Sequence, residues 1–172
     1  MATLPSHFPL ARVVWRPLAA SDLAYVAALE AQIHAAPWSL VNFRDAIAAG
    51  YSTRVAERED RIVAYGVLML APGEAQILNI SVVPDARREG FGRMLVEQFL
   101  DDASRLGAEQ CFLEVRVSNL GAISLYESAG FTRIARRIHY YPPVRKGDPR
   151  EDALVMRRAL QPRLFEVRSI SQ

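Results

Sequence analysis

The chain has 172 residues, of which 51% are hydrophobic and 23% are charged, and its formal net charge is +2. This length suits one domain with a single core, and no apolar run approaches the roughly 20 residues of a membrane helix. We therefore expect one soluble α/β domain over residues 1–172, with its core at about 13–160 and a charged tail at 161–172.

The cellular compartment is predicted from the termini and from the cysteine content. Residues 1–10 lack a basic segment followed by an apolar core, so they do not resemble a signal peptide. The one cysteine, Cys111, excludes an intramolecular disulfide and sits in an apolar segment. We expect a cytoplasmic protein in which Cys111 is an inert core thiol rather than a nucleophile.

Positive charge is concentrated in the last third of the chain. Residues 133–168 contain ten Arg or Lys against four Asp or Glu, a local excess of +6, so the remainder carries −4. Such a region can steer an anionic cofactor or touch a nucleoprotein, and scattered surface arginines explain it equally well. No aromatic-interleaved nucleic-acid motif accompanies it, so we expect neither direct nucleic-acid binding nor a membrane partner.

Apolar periodicity and turn residues predict the order βααβββαβαββ. The four helices are predicted to begin at Ser21-Asp22, Ser39, about Gly92 and Asn119, where capping residues or a glycine loop precede apolar positions. A hairpin turn is predicted between the second and third strands. The strands are predicted over residues 13–17, 53–57, 62–71, 75–83, 110–117, 131–138 and 152–158.

Residues 87–92 (Arg-Arg-Glu-Gly-Phe-Gly) form a glycine-bearing loop between a predicted strand and a predicted helix. Free N–H groups and the helix dipole favour an anion at such a place, which makes the loop a candidate pyrophosphate site. A P-loop is excluded because Arg93 and Met94 follow Gly92, and a dinucleotide fingerprint is excluded because a third glycine is missing. Taken alone, the loop is equally well explained as an ordinary turn before a helix.

The element order and this loop resemble the GCN5-related N-acetyltransferase (GNAT) family. Its loop pattern, Arg or Gln, two residues, Gly, one residue, and Gly or Ala, is met at every position. Other segments are similar to the ribosomal-protein-alanine N-acetyltransferases (RimI) within that family, over about residues 15–160. These segments are 36–39 (Ala-Pro-Trp-Ser), 79–82 (Asn-Ile-Ser-Val), 113–116 (Leu-Glu-Val-Arg), 118–119 (Ser-Asn), 122–123 (Ala-Ile), 125–131 (Leu-Tyr-Glu-Ser-Ala-Gly-Phe), 140–142 (Tyr-Tyr-Pro) and 151–153 (Glu-Asp-Ala).

The sequence also departs from this family. Ser81 and Val83 stand where Ala and Asp are common, and residues 143–149 carry extra basic and proline residues in place of a shorter polar loop. The first dozen residues and those after Leu160 lie outside the pattern. None of these departures touches a position that the resemblance assigns to catalysis, but the loop could alter peptide preference.

The resemblance implies a mixed sheet with splayed central strands (the GNAT fold) and acetyl transfer from acetyl-CoA, without a metal. The implied acceptor is the N-terminal alanine of a small-subunit ribosomal protein, attacked directly without an acetyl-enzyme. Glu114 is then the general base and Tyr126 the general acid. The positions assigned to acetyl-CoA are Ile80, Ser81, Val82, Arg87, Arg88, Glu89, Gly90, Phe91, Gly92, Arg93 and Asn119, and those assigned to the peptide are Trp38, Tyr140 and Tyr141.

Each assigned residue also has a simpler structural explanation. An apolar strand makes a carboxylate a stronger base, but Glu114 could instead pair with Arg116, two residues on and on the same strand face. Tyr126 could be a core aromatic, and Asn119 could cap its helix with or without binding the cofactor. The aromatic residues assigned to the peptide could equally form a core cluster.

Two other classes of function remain open at this point. The first is acetyl transfer to other protein N-termini, lysine side chains or small amines. The second is a non-catalytic module that binds acetyl-CoA, against which the joint presence of Glu114 and Tyr126 argues. Metal chemistry is not expected, because His7, His34 and His139 show no ligand spacing.

Overall fold

The computed structural model describes residues 12–161. Over these residues the chain forms seven strands and four α-helices in the predicted order. The elements are β1 (Val13–Arg16), α1 (Leu23–Ile33), α2 (Leu40–Ala48), β2 (Ser52–Arg58), β3 (Arg61–Ala71), β4 (Glu74–Val82), α3 (Phe91–Arg105), β5 (Gln110–Arg116), α4 (Leu120–Ser128), β6 (Thr132–Tyr141) and β7 (Glu151–Ala159). Residue 162 onward, which includes most of the expected tail, lies outside the described residues.

The seven strands form one mixed sheet in the order β1-β2-β3-β4-β5-β7-β6. Neighbouring strands are antiparallel except β4 and β5, which are parallel and joined by α3. The parallel pairing covers only residues 74–77 of β4 against 110–113 of β5, although both strands continue further. The two central strands are therefore splayed, as expected, and a cleft opens between their carboxyl-terminal halves.

A β-bulge in β4 determines which side chains face which helices. Val67 of β3 pairs with Asn79 and Leu68 pairs with Ile77, so Leu78 has no partner on β3. An extra residue interrupts the alternation of side chains along a strand. Ile77, before the bulge, belongs to the core under α3 and α4, whereas Leu78 and Asn79 both lie on the α1 side, where Asn79 donates to Glu30.

Helices cover both faces of the sheet. The larger core lies between the sheet and the α3/α4 layer, and its fully buried side chains include Leu95, Phe99, Leu113 and Met156. The second core lies under α1 and α2 around Phe43. Side chains of β5 alternate in burial, so the even-numbered residues of this strand point away from α3 and α4.

Two local predictions are confirmed. Ser39 caps α2, because its hydroxyl accepts a hydrogen bond from the backbone N–H of Asn42 at 3.3 Å. The turn between β2 and β3 consists of Glu59 and Asp60, both with positive φ, as in a tight two-residue hairpin.

Two other local predictions differ from the structure in part. Asp22 is the N-cap residue of α1, but its side chain does not cap the helix, because its carboxylate accepts from the Ala19 N–H at 2.8 Å and pairs with Arg16 at 2.6 Å. Tyr140 and Tyr141, which we expected in a loop, belong to β6. The bulge in the pairing of β6 with β7 between Arg137 and Tyr141 accounts for the lost alternation that hid this end of the strand.

Candidate active site

The cleft between β4 and β5 has a volume of about 400 Å³. We call it the central cleft. One side is formed by β4 and by the end of α1 with the loop that follows, and the other by β5, α4 and the end of β6. The residues that line it include Glu30, His34, Trp38, Leu78, Asn79, Ile80, Glu114, Val115, Arg116, Asn119, Tyr126 and Tyr141.

The glycine loop places an open helix N-terminus beside this cleft. Gly90 is the N-cap of α3 with φ 90°, and no side chain caps the helix. The first bond of the helix runs from the Met94 N–H to the Gly90 carbonyl, so the N–H groups of residues 91–93 precede the regular ladder. A β-carbon on Gly92 would lie 3.2 Å from Leu125, so glycine also permits close packing of α3 on α4.

The side chains of the loop have different environments. Glu89 is ion-paired with Arg58, and Phe91 is buried with that guanidinium 5.5 Å from its ring centre. These two residues can therefore contribute to an anion site mainly through their backbone. Arg88 is exposed with φ 69°, and Arg87 donates to the Val82 carbonyl at 3.3 Å. Arg93 is half-exposed and pairs with Glu97 at 3.0 Å.

Glu114 lies on β5 with its carboxylate in the central cleft. Its side chain is 17% exposed and forms an ion pair with Arg137 of β6. The guanidinium of Arg137 also lies over the Tyr140 ring at 4.3 Å, and interaction with Glu114 raises the pKa of Tyr140. The surroundings of this carboxylate are thus polar, and not the apolar neighbours that its strand suggested.

The alternative pairing of Glu114 with Arg116 is wrong. Arg116 binds the Glu151 carboxylate at 2.9 Å and donates to the Pro142 carbonyl at 3.3 Å. Its guanidinium also lies 4.4 Å from the centre of the Tyr141 ring. Arg116 therefore fastens the start and the end of the β6–β7 loop to the rim of the cleft.

Tyr126 of α4 is buried and borders the same cleft. Its ring packs edge-on against Phe131 with centres 6.0 Å apart. Burial raises the pKa of the Tyr126 phenol above its ordinary value. The side chain is therefore both a core aromatic and a hydroxyl that keeps its proton at neutral pH beside the cleft.

Asn119 caps α4, as its sequence position suggested. Its side-chain oxygen accepts from the Ala122 N–H at 3.2 Å. The side chain also borders the central cleft. Capping uses the oxygen of the amide and leaves its two N–H donors available.

The aromatic residues assigned to the peptide lie on both sides of the cleft. Trp38 packs on Phe43 at 5.2 Å, whereas Tyr140 and Tyr141 pack edge-on at 5.1 Å. Trp38 and Tyr141 line the cleft directly, and burial raises the pKa of Tyr141 to about 12. Tyr140 is more exposed, beside the pair formed by Glu114 and Arg137.

Comparison with known proteins places this geometry in a family. Residues 20–131 match the acetyltransferase (GNAT) family. The chain is a GNAT acyltransferase. An Escherichia coli K12 protein named ribosomal protein bS18-alanine N-acetyltransferase is 37% identical over 139 residues, which cover 81% of this chain and 92% of that protein.

Solved GNAT structures agree with this assignment. The Escherichia coli ribosomal-protein-S18-alanine N-acetyltransferase has a TM-score of 0.80 and 33% identity, covering 91% of this chain and 99% of that one. The Salmonella typhimurium protein yncA, solved with its cofactor acetyl-CoA, has a TM-score of 0.71 and 21% identity over 87% of this chain and 94% of that one. The latter likeness supports the fold alone.

The β4 positions assigned to acetyl-CoA differ in where their side chains lie in this GNAT domain. Ile80 borders the cleft and Val82 is half-buried, on the edge of β4 that no longer pairs with β5. The Ser81 hydroxyl is instead buried and bonded to Glu30 at 3.1 Å. Ser81 can thus serve a cofactor only through its backbone.

Sequence reasoning missed the polar network that Glu30 organises. Glu30 is 1% exposed and accepts hydrogen bonds from Tyr65, Asn79, Ser81 and the Trp38 backbone. On the apolar face of α1 it looked like one more helix residue. A charged residue at a buried helical position is the signal that could have identified it.

Two further observations concern the domain as a whole. Cys111 is fully buried, as predicted, and burial raises the pKa of its thiol to about 12. Among residues 12–161 no cluster of three or more His, Cys, Asp or Glu could hold a metal ion. None of the helices in the same range is long and apolar enough to cross a membrane.

Proposed function

We propose that this GNAT domain transfers an acetyl group from acetyl-CoA to the N-terminal α-amine of a protein in the cytoplasm. The proposed acceptor is the N-terminal alanine of a small-subunit ribosomal protein, the kind of substrate named for its 37% identical relative. The observation that carries the proposal is the central cleft, where Glu114 and Tyr126 border one space. Nothing in this reaction requires a metal.

The loop and the splayed strands suit the donor. The uncapped N-terminus of α3, with Gly90 in the left-handed region and Arg88 exposed, fits a pyrophosphate. The edge of β4 beyond Ile77 has no strand partner on the β5 side and can hydrogen-bond the amides of a pantetheine arm. When bound, acetyl-CoA supplies an acyl group activated as a thioester.

An α-amine is the easier nucleophile for this site. Its unperturbed pKa is about 7.7–8.0, against about 10.4 for lysine. Removing the proton at neutral pH therefore requires roughly 1 kcal/mol for an α-ammonium group, rather than about 4–5 kcal/mol for a lysine side chain. Glu114 would accept a proton from the nitrogen, directly or through water, with Arg137 fixing its carboxylate. Because burial keeps the Tyr126 phenol protonated, it can donate to the departing thiolate.

The walls of the cleft suit an extended peptide. Trp38 approaches from the α1–α2 side, and Tyr141 from β6. The β6–β7 loop is held over the rim by the bonds of Arg116 to Glu151 and Pro142. A peptide N-terminus that enters between these walls reaches the space that Glu114 and Tyr126 border.

Initial acetylation rates with synthetic acceptors test this function. We expect a peptide that begins with alanine to be acetylated faster than a lysine side chain or a small free amine. The double variant Glu114→Gln/Tyr126→Phe should lose at least about 10²-fold in kcat. Glu109→Gln/Tyr25→Phe removes the same groups at exposed positions outside the cleft and serves as the matched control.

The other outcomes separate the rival functions. If a small amine were acetylated faster than the alanine-starting peptide, the small amine would become the proposed acceptor. Tight binding of acetyl-CoA without any transfer would favour a non-catalytic module. Full activity of the double variant would refute the assigned roles of Glu114 and Tyr126.

A further inference from the structure

A fully satisfied carboxylate lies directly behind the wall of the central cleft. The side chain of Glu30 accepts from the Tyr65 hydroxyl at 2.7 Å, the Asn79 amide at 2.9 Å and the Ser81 hydroxyl at 3.1 Å. The Trp38 N–H adds a fourth bond at 3.3 Å. Four donors surround this carboxylate, which is the environment that a buried anion requires.

His34 connects this network to the cleft. It follows α1 one helical turn after Glu30, and its side chain is 36% exposed and lines the cleft. Its Nε2 lies 2.7 Å from the Ser81 hydroxyl and 3.7 Å from the Glu30 carboxylate. Because Ser81 is on β4 and Glu114 on β5, His34 and Glu114 stand on opposite sides of the cleft.

Counting protons assigns the tautomer of His34. The Ser81 hydroxyl has one proton and faces two pure acceptors, the Glu30 carboxylate and the Asn79 side-chain oxygen, each at 3.1 Å. An unprotonated Nε2 would be a third acceptor for that single proton. His34 therefore donates its Nε2–H to Ser81, which donates in turn to Glu30.

This assignment leaves Nδ1 of His34 as the nitrogen that can accept a proton. Among residues 12–161, no buried side-chain nitrogen or oxygen lacks a hydrogen-bond partner. The one hydrogen bond of the His34 ring uses Nε2, so Nδ1 reaches solvent. Because His34 lines the central cleft, Nδ1 is the ring nitrogen that is available to an acceptor amine entering there.

The proposed reaction needs two proton acceptors, and His34 can be the second. An ammonium nitrogen that becomes an amide loses two protons, one before it attacks and one after. Glu114 and His34 are two acceptors on opposite sides of the same cleft. One base is therefore available for each proton.

We propose that His34 is a catalytic residue that deprotonates the incoming α-ammonium group, and that Ser81 couples its charge to Glu30. This inference rests on the proposed function. The proton passes from nitrogen to Nδ1, and the resulting imidazolium is stabilised through the Ser81 hydroxyl by the buried carboxylate.

The remaining steps balance. The freed amine forms the C–N bond with the thioester carbon while the C–S bond breaks, and the thiolate takes the phenol proton of Tyr126. Glu114 removes the second proton from nitrogen and returns it through solvent to Tyr126. His34 releases the first proton to solvent, which is the net proton produced by the reaction.

The Ser81 hydroxyl is the bridge between His34 and Glu30. An alanine would leave His34 without that bridge. Ser81→Ala is therefore a direct test, since it removes one oxygen.

The pH profile must be interpreted against the other ionisable groups that face His34. These groups are Glu30 on α1, Tyr65 on β3, Glu114 and Arg116 on β5, Tyr126 on α4 and Tyr141 on β6. Burial raises the pKa values of the three tyrosines, so their side chains stay neutral near pH 7. Arg116 is paired with Glu151, and Glu114 with Arg137.

The first experiment measures kcat/KM for an alanine-starting peptide from about pH 5 to about pH 9, the range in which histidine titrates. We expect His34→Gln to lower kcat/KM about 10²-fold near pH 7, where most of the peptide carries an α-ammonium group, and to lower it less near pH 9, where the amine is already free. Ser81→Ala should also lower kcat/KM near pH 7, because it removes the hydroxyl that couples His34 to Glu30.

Ser52→Ala is the matched control. The Ser52 hydroxyl also donates to a buried carboxylate, that of Asp102 at 2.9 Å, but it lies outside the cleft. This variant should leave kcat/KM unchanged across the same range of pH. A His34→Gln profile that runs parallel to the wild-type profile would overturn the role of His34.

The second experiment needs no substrate. Imidazole nitrogen-15 spectra of the whole chain, with His34→Gln used to assign one of its three histidines, report the tautomer. In the neutral imidazole we expect a protonated Nε2 and a bare Nδ1. An Nδ1–H tautomer overturns the role of His34 alone, whereas a wild-type protein that acetylates no peptide overturns the proposed function.

Discussion

Asn119 has two separable tasks at the start of α4. Its side-chain oxygen caps the helix, and in the proposed function its amide N–H groups bind the pantetheine arm. An alanine removes both, whereas a serine keeps an oxygen that can cap but has no amide. The two tasks can thus be measured independently with one position.

We expect Asn119→Ala to lower the free energy of unfolding by about 1 kcal/mol and to raise the KM for acetyl-CoA. Asn119→Ser should recover most of the stability while its KM stays high. Urea unfolding and initial rates measure the two quantities. If serine restores the KM as well, the side chain acts only as a cap.

At this scale the sequence predicted which residues lie near one another better than it predicted their hydrogen-bond and ion-pair partners. The motif positions of Glu114, Asn119 and Tyr126 lie together in the cleft. The pairing of Glu114 with Arg137 was not predictable, because it depends on how β6 and β7 are ordered beside β5. Glu30 was missed for a similar reason, since its side-chain partners lie on two strands, β3 and β4, that are distant in sequence.

The helix α3 begins and ends at glycines with the same backbone requirement. Gly90 at its start has φ +90° and Gly107 just past its end has φ +85°, and a β-carbon on either would meet nothing within 4 Å. Substitution by alanine therefore introduces backbone strain of similar size at both ends, without a steric clash. Only the first glycine belongs to the loop proposed to hold pyrophosphate.

Gly90→Ala and Gly107→Ala should each destabilise the domain by about 1–2 kcal/mol. Gly90→Ala should in addition weaken the binding of coenzyme A, because the N–H groups at the start of α3 shift. Gly107→Ala is its matched control. Unfolding curves and titration calorimetry measure the two effects, and equal coenzyme A affinities would argue against the anion site.

The elements themselves were largely predictable, because alternation and turn residues are local properties. The predicted hairpin and the Ser39 cap are where we expected them. The insertion of β7 between β5 and β6 was not predictable, since strand order depends on packing across the whole sheet. The same applies to the bulge at Leu78, which apolar alternation alone does not reveal.

For the whole molecule, the ionisable groups define a range of pH in which the fold is most stable. Arg16 lowers the pKa of Asp22, and the His139 N–H and Arg136 lower that of Asp152. For Glu151, hydrogen bonds from Ser118 and Arg116 outweigh burial and lower the pKa. Burial has the opposite effect on neutral acids, and raises the pKa values of Tyr65, Tyr126, Tyr141 and Cys111.

The signs of these pKa shifts predict that the free energy of unfolding falls on both the acid side and the alkaline side. A carboxylate with a lowered pKa stabilises the fold above its unfolded value of about 4, and this stability is lost as the pH falls. A buried phenol or thiol with a raised pKa stabilises the fold below its unfolded value of about 9–10, and this stability is lost as the pH rises. We expect a plateau from about pH 5 to about pH 9.

Urea unfolding across this range of pH measures both limbs. Asp22→Asn should flatten the acid limb, because the residue no longer binds a proton on unfolding. Asp45→Asn is an exposed control with its own arginine neighbour, and should leave the limb unchanged. A stability that keeps rising below pH 4 would contradict the assignment of the lowered pKa values.

Leu78, which has no partner on β3, shifts the alternation of side chains along β4 by one residue. Downstream of Leu78, the positions that would otherwise face α3 and α4 carry Asn79 and Ser81 to Glu30 instead, while Ile80 packs with the larger core. If residues 79–82 slipped by one position against β3, these two sets would exchange faces. Polar side chains would then enter the apolar layer, and Glu30 would lose two of its four partners. The bulge thus lets the odd-numbered residues of one strand fill the larger core before Leu78 and bind the carboxylate of Glu30 after it.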